Sequence, residues 1–267
     1  DGRYWGAEAR AVAETADGTD SATAVFAVAA NPWEVAAIAA QAPDLGLGYK
    51  DAAVAARRVA EWREQGFTSF ECFFWAPCDF GDFTPDTEDF FSGQTQYSHS
   101  VSGTRNLVAA AHAHGMAATF YSNLWGTDGA AGFELMRRHP EWIASAWFNT
   151  EILDLWPAMT AGNIPAPHQW YSTVLVNDEV HSMAAIRHHA AEIVASQRSF
   201  GWDAIRYDSY NSSEWTRRAT ERTRELVGRE LPAFQFGYNT FPKGDANLDA
   251  LGVMLGGGGM AMVEYIR

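Results

Sequence analysis

The sequence predicts an α/β fold in which strands and helices alternate along the chain. A helical period from Asp51 to Gly66 is followed directly by a strand-like run at 67–75, and similar pairs recur to the end. Hydrophobic residues make up 47% of the 267 residues, enough for a large core. This alternation favours a parallel sheet covered by helices, and we predict a (β/α)8 TIM barrel. About six β/α units are visible where a closed barrel needs eight, so the predicted barrel is incomplete.

Two regions are predicted along the chain. Residues 1–50 are expected to be an N-terminal lead-in or the edge of an accessory region, with a candidate strand at 22–30 and a short Ala-rich helix at 32–40. Residues 51–267 are expected to form the partial catalytic barrel. Either the chain is a piece of a longer protein, or the missing strands lie within the first fifty residues.

The strands and helices of the barrel are predicted from the period of the hydrophobic residues, from helix-capping residues and from glycines that end helices. The six strands are predicted at 67–75, 116–123, 171–176, 202–208, 233–238 and 260–265. The helices are predicted at 52–65, 104–114, 133–138, 179–199, 214–227 and 246–251. The long loop from Ala76 to His99 is rich in aromatic residues, which favours an ordered lid or a wall of the binding site.

Composition excludes some classes of partner. The net charge of −14 disfavours nucleic acid, which requires a basic face. No apolar stretch reaches the 18 residues or so of a membrane span, and we expect no membrane partner. Cys72 and Cys78 are too few for a disulfide framework or a zinc site. The eleven Trp residues indicate either a bulky core or a groove that stacks on sugar rings.

Two carboxylates are candidates for catalysis. Asp208 ends the strand predicted at 202–208, and strand ends at the mouth of a barrel carry its chemistry. Glu264 lies in the otherwise apolar run MAMVEY, where it is either catalytic or a paired structural residue. The 56 residues between them (264 − 208) leave room for two further units, so both can face one cleft. Two carboxylates across a cleft are the minimum for cleaving a glycosidic bond.

Arg206 is predicted to assist Asp208. It precedes Asp208 by two residues, so strand alternation places both on the same side. A guanidinium there would keep Asp208 ionised, as a nucleophile requires. The alternative for Arg206 is a surface ion pair. A retaining enzyme would hold its two catalytic carboxyl groups about 5–5.5 Å apart.

Further residues are candidates for contact with the substrate. Asp79 and Asp82 follow the first predicted strand and could bind a sugar hydroxyl or Ca²⁺; no other cofactor is expected. His188 and His189 are adjacent on a helix, so we expect that they do not both face one site. The remaining candidate sugar contacts are Trp75, Tyr121, Trp125, Asp154, Trp156, His168, Trp170, Tyr238 and Asn239.

The order of several short motifs resembles a known family. NLVAAAHAHGMAATFYSNLW at 106–125, then HPEW at 139–142, FGWDAIRYD at 200–208 and a late VEY are similar to the dextranase and cycloisomaltooligosaccharide glucanotransferase family, glycoside hydrolase family 66. The resemblance implies a (β/α)8 barrel and a retaining mechanism, with Asp208 as nucleophile and Glu264 as acid/base.

Arg206 departs from that family, in which His or Gln is expected at this position. The Arg-x-Asp pattern looks more like the α-amylase clan, whose acid Glu ends strand 5. Residues 234–238 contain no carboxylate, which favours the dextranase-like layout.

The sequence therefore favours a retaining glycoside hydrolase or transglycosylase that acts on an α-glucan or related polysaccharide. We expect an extracellular or cell-surface location. One alternative is a non-catalytic carbohydrate-binding barrel. Another is a metal-dependent barrel lyase or aldolase that uses Asp and His.

Overall fold

The structure, a computed structural model, describes residues 7–26, 39–41, 47–72, 75–92, 98–122, 129–146, 173–175, 179–210, 214–240 and 260–262. The strands are β1 (Ala7–Thr15), β2 (Gly18–Phe26), β3 (Ala39–Gln41), β4 (Ser69–Cys72), β5 (Asp89–Phe91), β6 (Ser98–Ser100), β7 (Ala117–Ser122), β8 (Ile143–Ala146), β9 (Thr173–Leu175), β10 (Ala204–Tyr210), β11 (Gln235–Thr240) and β12 (Met260–Met262). The helices are α1 (Ala52–Glu64), α2 (Val101–Ala113), α3 (Gly129–Arg138), α4 (Glu179–Phe200) and α5 (Glu214–Glu230), with 3-10 turns at Leu47–Lys50 and Pro140–Trp142.

A parallel sheet organises the chain, in the order β3-β4-β7-β10-β11-β12. Each of these strands pairs in parallel with the one before it. The order along the sheet is therefore the order along the chain, as in a barrel, whereas a doubly wound sheet reverses direction. The prediction of an α/β fold with a parallel sheet is confirmed.

The first departure from the predicted strand order is at residues 171–176, which were expected to form the third strand of the sheet. β9 instead pairs antiparallel with β8, with Ile143 opposite Leu175. β10 consequently lies directly beside β7, with Arg206 opposite Tyr121.

The second departure is at residues 39–41, which form β3 at the edge of the sheet, beside β4. This strand lies before the predicted boundary at residue 50, and it makes β10 the fourth strand of the sheet. The helix predicted at 32–40 is wrong at Ala39 and Ala40, because pairing with β4 overrides the high helix propensity of alanine. Residues 32–38 lie outside the described residues, as does the predicted helix at 246–251.

The two faces of the sheet differ in character, as strand alternation requires. One face joins side chains of α1, α2, α4 and α5 in a single hydrophobic cluster. Its strand residues include Phe70, Cys72, Phe120, Ile205 and Phe236. The opposite face is also buried but polar, and carries Ser69, Glu71, Thr119, Tyr121 and Arg206. This second face is termed the polar face below.

Caps and glycine stops define the helices that cover the apolar face. The Asp51 side chain accepts a 2.8 Å hydrogen bond from the Ala53 amide at the start of α1. α1 buries Ala55, Val59 and Trp62 against the sheet. The chain leaves α1 through Gly66, whose φ of 92° favours glycine. The helix predicted at 52–65 is therefore confirmed within one residue.

An aromatic cluster fills the centre of the core. Trp75 and Trp202 have ring centroids 5.2 Å apart, and Phe120 lies 5.7 Å from Trp75 and 5.4 Å from Trp202. Phe200 completes the cluster at 5.3 Å from Trp75. For these two tryptophans the structure supports the bulky-core alternative.

The N-terminal region contains a hairpin. β1 and β2 pair antiparallel along their whole length, from Ala7 opposite Phe26 to Thr15 opposite Gly18. Residues 10–23 are exposed. The candidate strand at 22–30 thus begins earlier than predicted, at Gly18.

Candidate functional site

Asp208 lies on β10 close to the carboxyl end of the sheet. The structure describes its backbone. Tyr207 pairs with Tyr238, and Tyr210 pairs with Thr240. Between these two pairs the chain advances by three residues on β10 but by only two on β11. The extra residue is a β-bulge that includes the Asp208 position, and bulges of this kind occur next to active sites.

Arg206 is buried in an ion pair with Glu71. Its Nε and Nη2 donate to Glu71 Oε1 at 2.8 and 2.7 Å, and the two side chains are 4% and 2% exposed. The alternative of a surface ion pair for Arg206 is therefore excluded by burial. Glu71 was missed from the sequence because SFEC reads as an apolar strand, although a carboxylate within such a run is itself a signal.

Tyr121 lies beside the same pair on β7. The Arg206 guanidinium carbon is 5.2 Å from the centroid of the Tyr121 ring, within the range of a cation–π contact. Tyr121 is 1% exposed. The structure thus brings together two sequence candidates, Arg206 and Tyr121, with Glu71 on the polar face.

Trp75 does not lie in a groove. It is 0% exposed and packs among the aromatic residues of the core, on the helix side of the sheet. This placement corrects its prediction as a sugar-binding residue, because no face of the indole is open to a ligand. The sequence alone does not distinguish a tryptophan buried in the core from a tryptophan exposed in a binding groove.

The loop after β4 contains Asp79, and its main chain contacts side chains of α4. His188 Nε2 lies 2.8 Å from the Gly81 carbonyl, and His189 Nδ1 contacts the neighbouring Phe80 carbonyl. A Cβ at Gly81 would lie 2.7 Å from the His188 imidazole, so the close approach requires glycine. The expectation that adjacent histidines do not face one site is wrong, since both bind consecutive carbonyls of one loop.

His189 also reaches the sheet. Its Nε2 is 2.8 Å from the Tyr207 hydroxyl. Burial lowers the pKa of His189 to about 3, so the ring is neutral at physiological pH. A neutral ring with both contacts donates from Nδ1 to the Phe80 carbonyl and accepts at Nε2 from the Tyr207 hydroxyl. The histidine therefore links the loop to the strand that carries Asp208.

Glu192, one turn further along α4, completes the attachment. Its Oε2 accepts a 3.0 Å hydrogen bond from the Phe83 amide. Burial first, and then the charges of Glu192 and Asp86, raise the pKa of Asp82 to about 6, while Arg138 opposes the shift. Residues 76–92 of this loop are attached to α4 beyond the carboxyl end of β4, and residues 93–97 lie outside the described residues. That the loop is a lid or a wall of a binding site stays a prediction.

Asp79 is 2% exposed within that loop, and Ser122 Oγ donates to its main-chain carbonyl at 2.6 Å. The described residues contain no group of three side chains able to hold a metal ion. Asp79 and Asp82 therefore remain candidates for Ca²⁺ or for a hydroxyl on sequence grounds alone. None of the described helices is both long and apolar enough to span a membrane.

Several predicted residues lie outside the described residues. These are Glu264, Trp125, Asp154, Trp156, His168 and Trp170. For Tyr238 and Asn239 the structure describes the backbone. Register places the Tyr238 position level with Tyr207 on the helix side, and the Asn239 position on the polar side.

Comparisons with known proteins bear on the fold. A cycloisomaltooligosaccharide glucanotransferase from a Paenibacillus species, solved with cycloisomaltoheptaose, has a TM-score of 0.60 at 11% identity, over 82% of this chain and 32% of that chain. A maltogenic α-amylase from Thermotoga neapolitana has a TM-score of 0.49 at 13% identity, over 76% of this chain and 46% of that one. No family model matches, and no curated protein matches significantly. The likeness to the glucanotransferase shows a shared fold, and the aligned part is about a third of that enzyme.

Proposed function

We propose that the chain carries the catalytic centre of a retaining glycoside hydrolase or transglycosylase that acts on an α-glucan or related polysaccharide. The observation that carries the proposal is the position of Asp208, at a bulge near the carboxyl end of the fourth parallel strand. A buried arginine precedes it by two residues on the same strand. In this proposal Asp208 is the nucleophile and Glu264 is the acid/base.

Strand register supports the pairing of Asp208 with Glu264. Arg206 pairs with Gly237, which pairs with Met260, so Met260 is level with Arg206 on the polar face. Glu264 follows Met260 by four residues in the sequence and lies outside the described residues. β10 and β12 are separated by β11 alone, which sets their backbones about 10 Å apart. Side chains that converge from such strands can approach the 5–5.5 Å of a retaining enzyme.

The proposed reaction has two steps. Asp208 attacks the anomeric carbon and forms a glycosyl–enzyme bond, while Glu264 gives its proton to the departing glycosidic oxygen. Glu264 then removes a proton from water, or from an acceptor sugar hydroxyl, which attacks the same carbon and releases Asp208. Arg206, two residues before Asp208, is proposed to favour the ionised form of Asp208, because an opposite charge near a carboxyl group lowers its pKa.

The substrate class rests on the fold neighbour. The Paenibacillus enzyme was solved with a cyclic glucose oligomer, cycloisomaltoheptaose. The fold shared with that enzyme makes an α-glucan the first substrate to test here. The candidates outside the described residues, among them Trp125, Asp154 and His168, would then contact the sugar chain.

The test is a panel of α-glucans and other polysaccharides, with products followed by NMR. We expect the parent protein to release a sugar whose first-formed anomer has the configuration of the substrate. Asp208→Asn and Glu264→Gln should each lower kcat by about 10³-fold or more while glycan binding persists. Unchanged activity in both variants contradicts the assignment.

Two other results would redirect the proposal. A parent that binds glycans without turnover indicates a carbohydrate-binding barrel. Activity that disappears with a chelator and returns with a divalent cation indicates the metal-dependent alternative, or a Ca²⁺ requirement if glycans are still the substrate.

A further inference from the structure

Phe91, on β5, is a large apolar side chain that the fold leaves in solvent. It is 60% exposed. Among the residues that the structure describes, the other large hydrophobic side chain that is mostly exposed is Val12, in the N-terminal hairpin. Single exposed apolar residues are common on protein surfaces, so exposure alone does not indicate a site. The surroundings of Phe91 are more informative, because they fix the direction of the ring and place hydrogen-bonding groups around it.

The β5–β6 hairpin directs the Phe91 ring outwards. The neighbouring Phe90 is 7% exposed and turns into the core, where its ring centroid lies 6.0 Å from that of Trp75. Strand alternation then turns Phe91 to the opposite side. The hairpin is also joined to α2, because the Val101 amide donates a 2.8 Å hydrogen bond to the Glu88 carbonyl. A fixed backbone therefore presents the ring to solvent.

Polar groups of three kinds lie around the ring. Asp89 precedes Phe91 by two residues and is exposed on the same face of β5, with the two Cα atoms about 6.7 Å apart. Lys50 Nζ lies 2.5 Å from Asp89 Oδ1. Ser98, on β6, is directly opposite Phe91 and partly exposed. Asn106 Nδ2 donates to the Lys50 carbonyl at 3.0 Å, which fixes the backbone of the lysine as well. Phe91, Asp89, Ser98 and Lys50 are together termed the Phe91 face.

The Phe91 face lies at the carboxyl end of the sheet, on its helix side. β5 and β6 come between the end of β4 and the start of α2, and Lys50 comes between β3 and α1. Chain that follows a parallel strand and precedes its helix lies at the carboxyl end of the strands. Phe90 belongs to the apolar cluster on the helix side of the sheet, which places the hairpin away from the polar face. The Phe91 face thus shares an end of the sheet with Asp208.

A sugar chain suits this face better than a protein does. Stable protein interfaces have a broad area with an apolar centre, whereas the exposed residues next to Phe91 along the chain, 86–89, are all polar. A pyranose has an apolar C–H face and a rim of hydroxyl groups. The phenyl ring offers a flat apolar surface to the first, and carboxylate, ammonium and hydroxyl groups accept from and donate to the second. An exposed ion pair such as Lys50–Asp89 adds little stability by itself.

We propose that the Phe91 face is a second binding site for an α-glucan chain, an inference whose ligand rests on the function proposed above. The Phe91 ring stacks on a glucose unit, and Asp89, Lys50 and Ser98 bind its hydroxyl groups. A chain held here keeps its other units near the carboxyl end of the sheet. A second contact of this kind raises the effective concentration of the chain at the proposed catalytic centre. A long glucan gains from both contacts, and an oligomer too short to reach both does not.

Binding is measured by affinity electrophoresis in gels that contain dextran or soluble starch, with Asp208→Asn in every variant to prevent turnover. Phe91→Ala should weaken binding about three- to tenfold, because stacking on the ring is lost. Phe91→Trp keeps a flat ring and should bind at least as well as the parent. The matched control is Val12→Ala, which truncates the other exposed hydrophobic side chain and should leave binding unchanged. Since both side chains are exposed, neither truncation should prevent folding.

Two further readouts locate the contact. In protein labelled with ¹³C at phenylalanine, the ring resonance assigned through Phe91→Ala should shift as the glucan is added. In protein with Asp208 intact, Phe91→Ala should lower kcat/KM for the long glucan about three- to tenfold, mainly through KM, and should lower it less for a glucose trimer. An equal loss for the polymer and the trimer would contradict a second contact along the chain.

The outcomes separate this inference from the proposed function. Glucan binding that depends on Phe91 in a protein without turnover supports the binding site and contradicts the catalytic proposal. Glucan turnover with equal binding by Phe91→Ala and Val12→Ala overturns the binding site alone. A parent that neither binds nor cleaves a glucan overturns both. A change of oligomeric state in Phe91→Ala, measured by sedimentation, with unchanged glucan binding would assign the face to contact with a second copy of the chain and would also overturn the inference.

Discussion

Asp82, in the loop after β4, is a carboxyl group whose surroundings raise its pKa. Asp82 is partly buried, and Glu192 and Asp86 add negative charge near it, while Arg138 offsets them only in part. Its pKa is raised from 3.8 to about 6. A carboxyl whose pKa is higher in the folded state stabilises the fold at low pH, and that contribution is lost as the pH rises through about 6.

Asp82→Asn should therefore stabilise the protein at pH 8 and have little effect at pH 4. One pKa unit corresponds to about 1.4 kcal/mol, so the gain at pH 8 should be on the order of 1–3 kcal/mol. Thermal unfolding at the two pH values measures it. Asp86→Asn is the control, because this exposed residue in the same loop should give a smaller gain. A lower melting temperature for Asp82→Asn at pH 8 would contradict the assignment.

At the amino end of the sheet, polar contacts of Asp203 join β10 to α2 and β7. Asp203, just before β10, accepts hydrogen bonds from the Ala118 amide and from His112 Nε2 at 2.8 and 2.9 Å. The hydrogen bond to Asp203 raises the pKa of His112, more than burial lowers it. Protonated His112 thus links the end of α2 to both β7 and β10.

His112→Gln should destabilise the protein at pH 5.5 more than at pH 9. The folded-state pKa is raised, so the contribution is fully present below the ordinary histidine pKa of about 6.5 and is lost as the pH rises through the raised value. The histidine side chain is 42% exposed, and exposed pairs contribute only about 0.2–1 kcal/mol. Melting curves at both pH values measure the difference, with the exposed His114→Gln as control. Equal destabilisation at the two pH values would show that the charge is not involved.

Over the whole molecule, stability depends on the aromatic core between the sheet and the helices. Trp202→Ala should cost about 3–5 kcal/mol, because it removes a fully buried indole that contacts Trp75, Phe120 and Phe200. Trp202→Phe should cost less, since a ring remains. Urea unfolding measures both, and Val12→Ala, at a position 53% exposed in the N-terminal hairpin, should change little. A small effect of Trp202→Ala would place the main core elsewhere.

The sequence predicted the fold class because hydrophobic period and glycine stops are local signals, as in α1 and α2. It misassigned 171–176, because a short apolar strand reads alike in a parallel sheet and in the β8–β9 pair. It identified Arg206 through its spacing from Asp208. It missed Glu71, which is 135 residues away from Arg206 along the chain and meets it only through the order of the sheet.

The attachment of the loop to α4 has a further consequence for engineering. His188, His189 and Glu192 bind main-chain atoms of the loop, namely the Gly81 and Phe80 carbonyls and the Phe83 amide. The path of the loop is set by these main-chain contacts together with the buried side chains of Phe80 and Phe83 and the need for glycine at 81. Exposed positions such as Asp86 can be randomised in a library while the backbone keeps its course.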